Sequence, residues 1–215
     1  MKRKGKRKTV VVIVCIFLLL GAAWVSSVDK INDKNDYPAI LYHELGESVA
    51  LDDNMLAADF VNMQGYEVAV NGSKLYTIEE YLEKYDLTLE EYISLNGYDS
   101  LGEYAWKFLV PSMILEVEIS LSNTNNQDTG VNFEWWSLVG SAAYSQLDTY
   151  LYSLANPQMQ GSTMARAKLN SSAELRLPFG IKQSDMSRKT WKQLDCTSLY
   201  LVISDFPTSH RLAIS

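Results

Sequence analysis

From Leu115 to Ser122 apolar and polar residues alternate without interruption, Leu115, Val117, Ile119 and Leu121 against Glu116, Glu118, Ser120 and Ser122. A period of two over eight residues predicts a strand with one buried and one wet face. The same alternation starts at Gly65, with Tyr66, Val68 and Val70 opposite Glu67, Ala69 and Asn71, and Asn71-Gly72 then reads as a turn. Ala173, Leu175 and Leu177 alternate with Glu174 and Arg176 before Pro178-Phe179. Leu199, Leu201 and Ile203 alternate with Tyr200, Val202 and Ser204; a turn at Asp205 to Ser209 leads to a closing strand with Leu212 and Ile214. Phe133 to Val139 and Ala143 to Leu154, rich in aromatic and aliphatic residues, read as two more strands, the second ended by Asn156-Pro157.

Between these strands the period changes. Thr77-Ile78-Glu79-Glu80 and Thr88-Leu89-Glu90-Glu91 are two capping boxes, in which the threonine hydroxyl accepts a free backbone N–H while the glutamate reaches back to the cap. Ile78, Tyr81, Leu82 and Tyr85 then form one apolar helical face, Leu89, Tyr92 and Ile93 a second, and Gly97 stops the second helix. Glu79, Glu80, Glu83, Glu90 and Glu91 form a solvated face with a favourable helix-dipole placement. About seven strands with a two-helix insert near 77–97 predict a mostly β chain, an antiparallel sandwich.

The first 28 residues follow another logic. Lys2, Arg3, Lys4, Lys6, Arg7 and Lys8 precede a run of 19 residues from Val10 to Val28 without a charge. As a helix that run is about 28 Å long, close to the thickness of a bilayer core. Its length exceeds a typical secretory h-region of roughly 7–15 residues. The expected partition is a cytoplasmic basic segment over 1–8, a transmembrane signal-anchor over 9–28 with the lipid bilayer as its partner, a linker over 29–42, and an extracytoplasmic domain over 43–215. Cleavage after Ala23 or Ser27 would release the domain as a secreted protein. Cys15 lies in mid-run, where a lipoprotein cysteine would not. Asp33, Asn35 and Asp36 do not form a calcium loop, because Tyr37 and Pro38 occupy the fifth ligand and glycine positions.

Composition sharpens the picture. Removing six cations from a chain of net charge −7 leaves −13 on the remainder. That balance disfavours nucleic acid and anionic lipid surfaces as partners. Beyond the anchor the single cysteine is Cys196, so no intramolecular disulfide is available. His43 and His210 stand far apart, with no second ligand at metal spacing. No nucleophile elbow, phosphate loop or dinucleotide fingerprint is present. The expectation is a non-enzyme without metal or cofactor. Trp135 and Trp136 are the candidate ligand-binding residues: adjacent in a strand, one faces the core and the other faces outward, either covered by the helical insert or a loop, or free to stack on a sugar or anchor a protein. Asn71 and Asn170 begin glycosylation tripeptides that matter only in a eukaryotic secretory setting.

Three segments, Leu115–Asn125, Ser172–Ile181 and Leu199–Ile214, together with the N-terminal anchor, resemble uncharacterised membrane-anchored or secreted telokin-like proteins of Gram-positive bacteria. The resemblance implies an immunoglobulin-like sandwich outside the cytoplasm and assigns no catalytic residue. The expected function is binding of an envelope or surface protein, or another envelope component, without catalysis. The alternative is a cell-wall carbohydrate-binding or glycan-acting protein, hydrolysis requiring two carboxylates across one cleft.

Overall fold

The computed structural model describes residues 38–51, 62–102, 106, 108–127, 129–140, 143–159, 161–195 and 198–215, together with Trp24, Ser26 and Ser27. The chain divides into two units, Met1–Tyr37 and Pro38–Ser215. The anchor assigned to 9–28 lies outside the described residues except for Trp24, Ser26 and Ser27, which are helical and exposed. Among the described residues no helix is long and apolar enough to cross a membrane.

The second unit is mostly β. Its strands are β1 (Ala39–His43), β2 (Val49–Leu51), β3 (Tyr66–Thr77), β4 (Met113–Asn123), β5 (Val131–Asn132), β6 (Ser137–Val139), β7 (Tyr144–Gln146), β8 (Met164–Ala165), β9 (Ser171–Ile181), β10 (Tyr200–Ser204) and β11 (Thr208–Ala213). Among the described residues its bounded α-helices are α1 (Ile78–Glu83), α2 (Leu89–Leu95), α3 (Thr149–Ala155) and α4 (Arg188–Lys192), and Trp106, Phe108 and Leu109 are helical as well. One open sheet has the order β1-β11-β10-β6-β7, a second the order β2-β3-β4-β9, and β5 pairs with β8. Both larger sheets contribute to one core: Val68, Val117, Ile119, Leu175 and Phe179 from the second pack with Leu138, Leu201 and Leu212 from the first.

Several expectations are corrected. The sheets are not purely antiparallel, because β1 runs parallel to β11. Ala39 to Tyr42, assigned above to the linker, therefore belong to a sheet. Asn71-Gly72 makes no turn; β3 continues through it with a bulge between Val70 and Gly72. The extra residue shifts the parity, so that Ser73 and Leu75 pair with Val117 and Leu115, although Leu75 itself stays exposed. The Asn71 amide reaches across β4, donating to Ser120 Oγ and to Glu174 Oε2, both at 2.8 Å. The run 143–154 is not one strand: Asp148 caps α3 by accepting from the Leu151 N–H, and the chain turns helical after β7.

Both predicted capping boxes are present. Thr77 and Glu80 exchange bonds at the start of α1, Thr88 and Glu91 at the start of α2. Gly97 ends the pair at φ +70°, a left-handed conformation that favours glycine. Ile78, Tyr81, Leu82, Tyr92 and Ile93 lie buried against Ile114 and Leu151 in a second core. These helices cover part of the β4 face expected to be wet. Glu116, on that face, is only 3% exposed.

Candidate functional site

A cleft of about 390 Å³ opens where the end of the helical pair meets the corner between β7 and α3. Asn96 and Tyr98 enter it from beyond α2, Tyr144, Gln146, Asp148 and Thr149 from the corner, and Lys182 and Asp185 from beyond β9. The corner is held to the edge of β9. Ser145 Oγ donates to the Gly180 carbonyl at 2.7 Å, the Asp148 N–H donates to the Pro178 carbonyl at 2.9 Å, and Leu147 bridges Phe179. Asn156, after α3, donates to the Arg176 carbonyl at 2.7 Å and accepts from its N–H at 3.0 Å. The side chain thereby takes the place of a neighbouring strand.

Its chemistry is that of recognition. Asp148 accepts the Leu151 N–H on one oxygen and the Tyr92 hydroxyl, at 2.8 Å, on the other. Burial, then the Asp148 charge, pushes the Tyr92 hydroxyl far above its ordinary value, and the same two causes raise Tyr98. Both phenols are therefore neutral donors at physiological pH. Gln146, Thr149 and Lys182 make no side-chain hydrogen bond among the described residues. The cleft thus combines two tyrosine rings with uncommitted polar groups, the composition of a small polar-ligand site. A second hollow, of about 510 Å³, lies beside Tyr66, Asn123 and Asn126. Its amides are spent internally: Asn123 donates to the Asn126 and Ala167 carbonyls, and Asn126 to those of Asn62 and Gln64.

A family model described as a domain of unknown function (DUF5028) matches residues 40–210. The chain belongs to this family. All the cleft residues named above fall inside the match, which begins in β1 and ends in β11. No curated protein and no solved structure matches the chain.

The DUF5028 domain places Trp135 and Trp136 in a turn rather than a strand, closed by the Trp136 N–H on the Phe133 carbonyl at 3.0 Å. Trp136 is buried edge-on against Phe133, with ring centroids 4.7 Å apart; Trp135 is 64% exposed, so neither helix nor loop covers it. Neither lines the cleft.

The two histidines, distant in sequence, meet on neighbouring strands. His43 Nε2 lies 3.2 Å from His210 Nδ1, and the ring planes differ by 5°. His43 Nδ1 lies 2.9 Å from Glu47, whose carboxylate is held below its usual range chiefly by that bond and then by the Glu44 N–H. A centroid separation of 5.4 Å is near the sum of the N···N distance and two ring radii, so the rings lie end to end, one ring nitrogen donating its N–H to the other. Sequence reading missed this pair because parallel register, not spacing, creates it. Cys196 lies outside the described residues.

A third cluster also escaped the sequence. Glu116 accepts from the Tyr81 hydroxyl at 2.8 Å and from Lys84 Nζ at 3.0 and 3.1 Å. Lys84 lies over the rings of Tyr76, Tyr81 and Tyr85, 4.4 to 5.6 Å from their centroids. Tyr81 and Lys84, three residues apart, share one face at the end of α1. The cage is filled by the chain's own lysine, so its role is to pin α1 onto β4.

Proposed function

We propose that this chain is a membrane-tethered, extracytoplasmic, immunoglobulin-like sandwich that binds a component of the cell envelope without catalysis. The observation that carries the reading is the cleft between the helical pair and the β7–α3 corner, where tyrosine rings and uncommitted polar groups converge. The location rests on the basic block and apolar run before Val28, which favour a cytoplasmic N-terminus and an outer domain. The immunoglobulin-like, telokin-like assignment rests on two sheets sharing one core and on the resemblance of their strands.

Tyr98→Ala and Asp185→Asn together, in the full chain in detergent, are expected to weaken cosedimentation with purified cell envelopes by at least fivefold. Retention of wild-type binding at an unchanged melting temperature would refute the cleft as the contact. A second reading, capture of an envelope protein, is favoured by the 64% exposure of Trp135. Trp135→Ala would then reduce photocrosslinking in intact cells and leave envelope cosedimentation intact. A glycan-acting enzyme is the alternative supported by Asp148 and Asp185 lining one cleft. It is disfavoured by the commitment of both Asp148 oxygens to protein donors.

A further inference from the structure

The face of the five-stranded sheet that points away from the core carries a row of tyrosines leading out of the cleft. Val139 pairs with Tyr200 of β10 on one side and with Tyr144 of β7 on the other. Directly paired residues share a face. Their neighbours Leu138 and Leu201 are in the core, so Tyr200, Val139 and Tyr144 point outward. Tyr42 pairs with Arg211, whose other partner is Val202, two residues from Tyr200 and on the same face. The Tyr42 and Tyr200 rings meet edge to face at 5.1 Å, with Arg211 against the Tyr42 ring. Tyr144 also lines the cleft, so cleft and row are continuous.

We infer that a neutral, extended glycan chain lies along this row, one end in the cleft and the rest over Tyr144, Tyr200 and Tyr42; the inference rests on the reading of the cleft as an envelope-ligand site. Tyr144 and Tyr200 are two strands apart, about 10 Å at the usual strand separation. That is close to the length of a disaccharide in an extended β-1,4-linked polymer, so successive repeats present the same sugar face to Tyr144 and to Tyr200, while the Tyr42 ring, 5.1 Å from that of Tyr200 and edge to face with it, extends the second contact. Tyrosine suits such a ligand, its ring taking the C–H face of a pyranose and its hydroxyl serving the sugar hydroxyls. Charge selects against other polymers. Beyond the anchor the chain carries net charge −13, yet at the strand positions facing this way the one charged residue is Arg211, placed against Tyr42. An anionic polymer would meet a repelling domain, and a cationic one would find no carboxylate at the strand positions of this face.

Isothermal titration calorimetry on the full chain in detergent, with the β-1,4-linked disaccharide and hexasaccharide of N-acetylglucosamine as probes, tests the track. The hexasaccharide is expected to bind about tenfold tighter than the disaccharide, 1.4 kcal/mol. Tyr200→Ala, and independently Tyr42→Ala, should bring hexasaccharide affinity down to the disaccharide level. Tyr98→Ala should weaken both probes. Equal affinity for the two probes, or a tenfold ratio that survives Tyr200→Ala and Tyr42→Ala, overturns the track while leaving the cleft reading in place. Failure of both probes to bind overturns the glycan as ligand and the track with it. Melting temperatures of the variants separate loss of contact from loss of fold, since Tyr42 is 59% exposed and its truncation removes little packing.

Discussion

Lys84→Met offers the sharpest test of how the helical insert is fastened. In the wild type the buried Glu116 carboxylate is served by Tyr81 and, twice, by Lys84. Methionine keeps most of the stem volume and leaves that carboxylate a single donor. Stripping one partner from a buried pair costs about 3–5 kcal/mol. The Lys84 side chain is 29% exposed, however, so water reaches the vacated position and the electrostatic part falls to about 2–3 kcal/mol. Loss of the contacts over Tyr76 and Tyr81 adds about 0.5–1 kcal/mol. The expected destabilisation is therefore about 2.5–4 kcal/mol, a fall in Tm of about 5–15 °C for a domain this size. Urea unfolding followed by tryptophan fluorescence and far-UV circular dichroism measures it, coincident transitions confirming two-state behaviour. Glu116→Gln in the Lys84→Met background removes the stranded charge and keeps an acceptor for Tyr81, so it should recover more than half of the loss. A cost below about 1 kcal/mol for Lys84→Met, or no recovery in the double variant, would refute the pinning role.

The same pair sets the sign of an alkaline effect. Burial lowers the Lys84 pKa, but the hydrogen bond and charge of Glu116 outweigh it and hold the ammonium above its ordinary 10.5. A raised folded-state pKa stabilises below the unfolded value and loses that contribution as pH climbs through the folded one. Lys84→Met should accordingly show a shallower fall in stability above about pH 10.5. The fall does not vanish, because Tyr81 and Tyr92, held protonated mainly by burial, contribute with the same sign.

On the acid side, the Glu80 and Glu91 carboxylates lie below their ordinary value of 4.5, first through the backbone N–H of their cap threonines. Their stabilisation is present above that value and is lost as pH falls through the lowered one, so Glu80→Gln/Glu91→Gln should flatten the acid limb of a Tm-against-pH curve; an unchanged limb would refute this. Tyr152→Phe removes a buried hydroxyl that has no hydrogen-bond partner among the described residues, and should stabilise by about 1 kcal/mol in urea unfolding; a loss of more than 1 kcal/mol would show that the hydroxyl is served. Gly65→Ala forces an alanine to φ +91° and its methyl against the Asn125 side chain, and should cost about 1–3 kcal/mol. Thermal melts matching wild type would show that the 62–66 turn can relax.

Much of the fold is legible because its long strands are solvated unequally on their two faces. β4 and β9 owe their alternation to the core beneath them, and α1 and α2 announce themselves through caps that act within four residues. What fails is local reading where a distant partner decides. Asn71-Gly72 is a turn dipeptide, yet β4 offers eleven paired positions to β3, and a bulge absorbs the glycine without ending the ladder. Ala39–His43 has no polar alternation to betray it, because it is an edge strand whose residues are mostly exposed; only pairing with β11 makes it a strand. The aromatic content of 143–154 suggested β structure, but Asp148 supplies a helix cap, and the signal was the aspartate three residues before Leu151 rather than the composition.

The site was less legible, and for a related reason. Tryptophans draw attention by size, and Trp135 and Trp136 were singled out for it, but a cleft is made by convergence. Asn96, Gln146, Asp148, Thr149 and Lys182 come from segments up to 86 residues apart and carry no shared motif. Asp148 illustrates the ambiguity. As a cap it is a structural residue, and as the acceptor for Tyr92 it holds the insert against the β7–α3 corner. Those two bonds also fix one wall of the cleft, so the residue that stabilises the insert sets the shape a ligand meets. A substitution at Asp148 would therefore change stability and binding together. Tyr98 lines the same cleft, but its ring packs edge to face on Tyr92 at 6.4 Å, so its truncation is read with a melting temperature beside the binding curve.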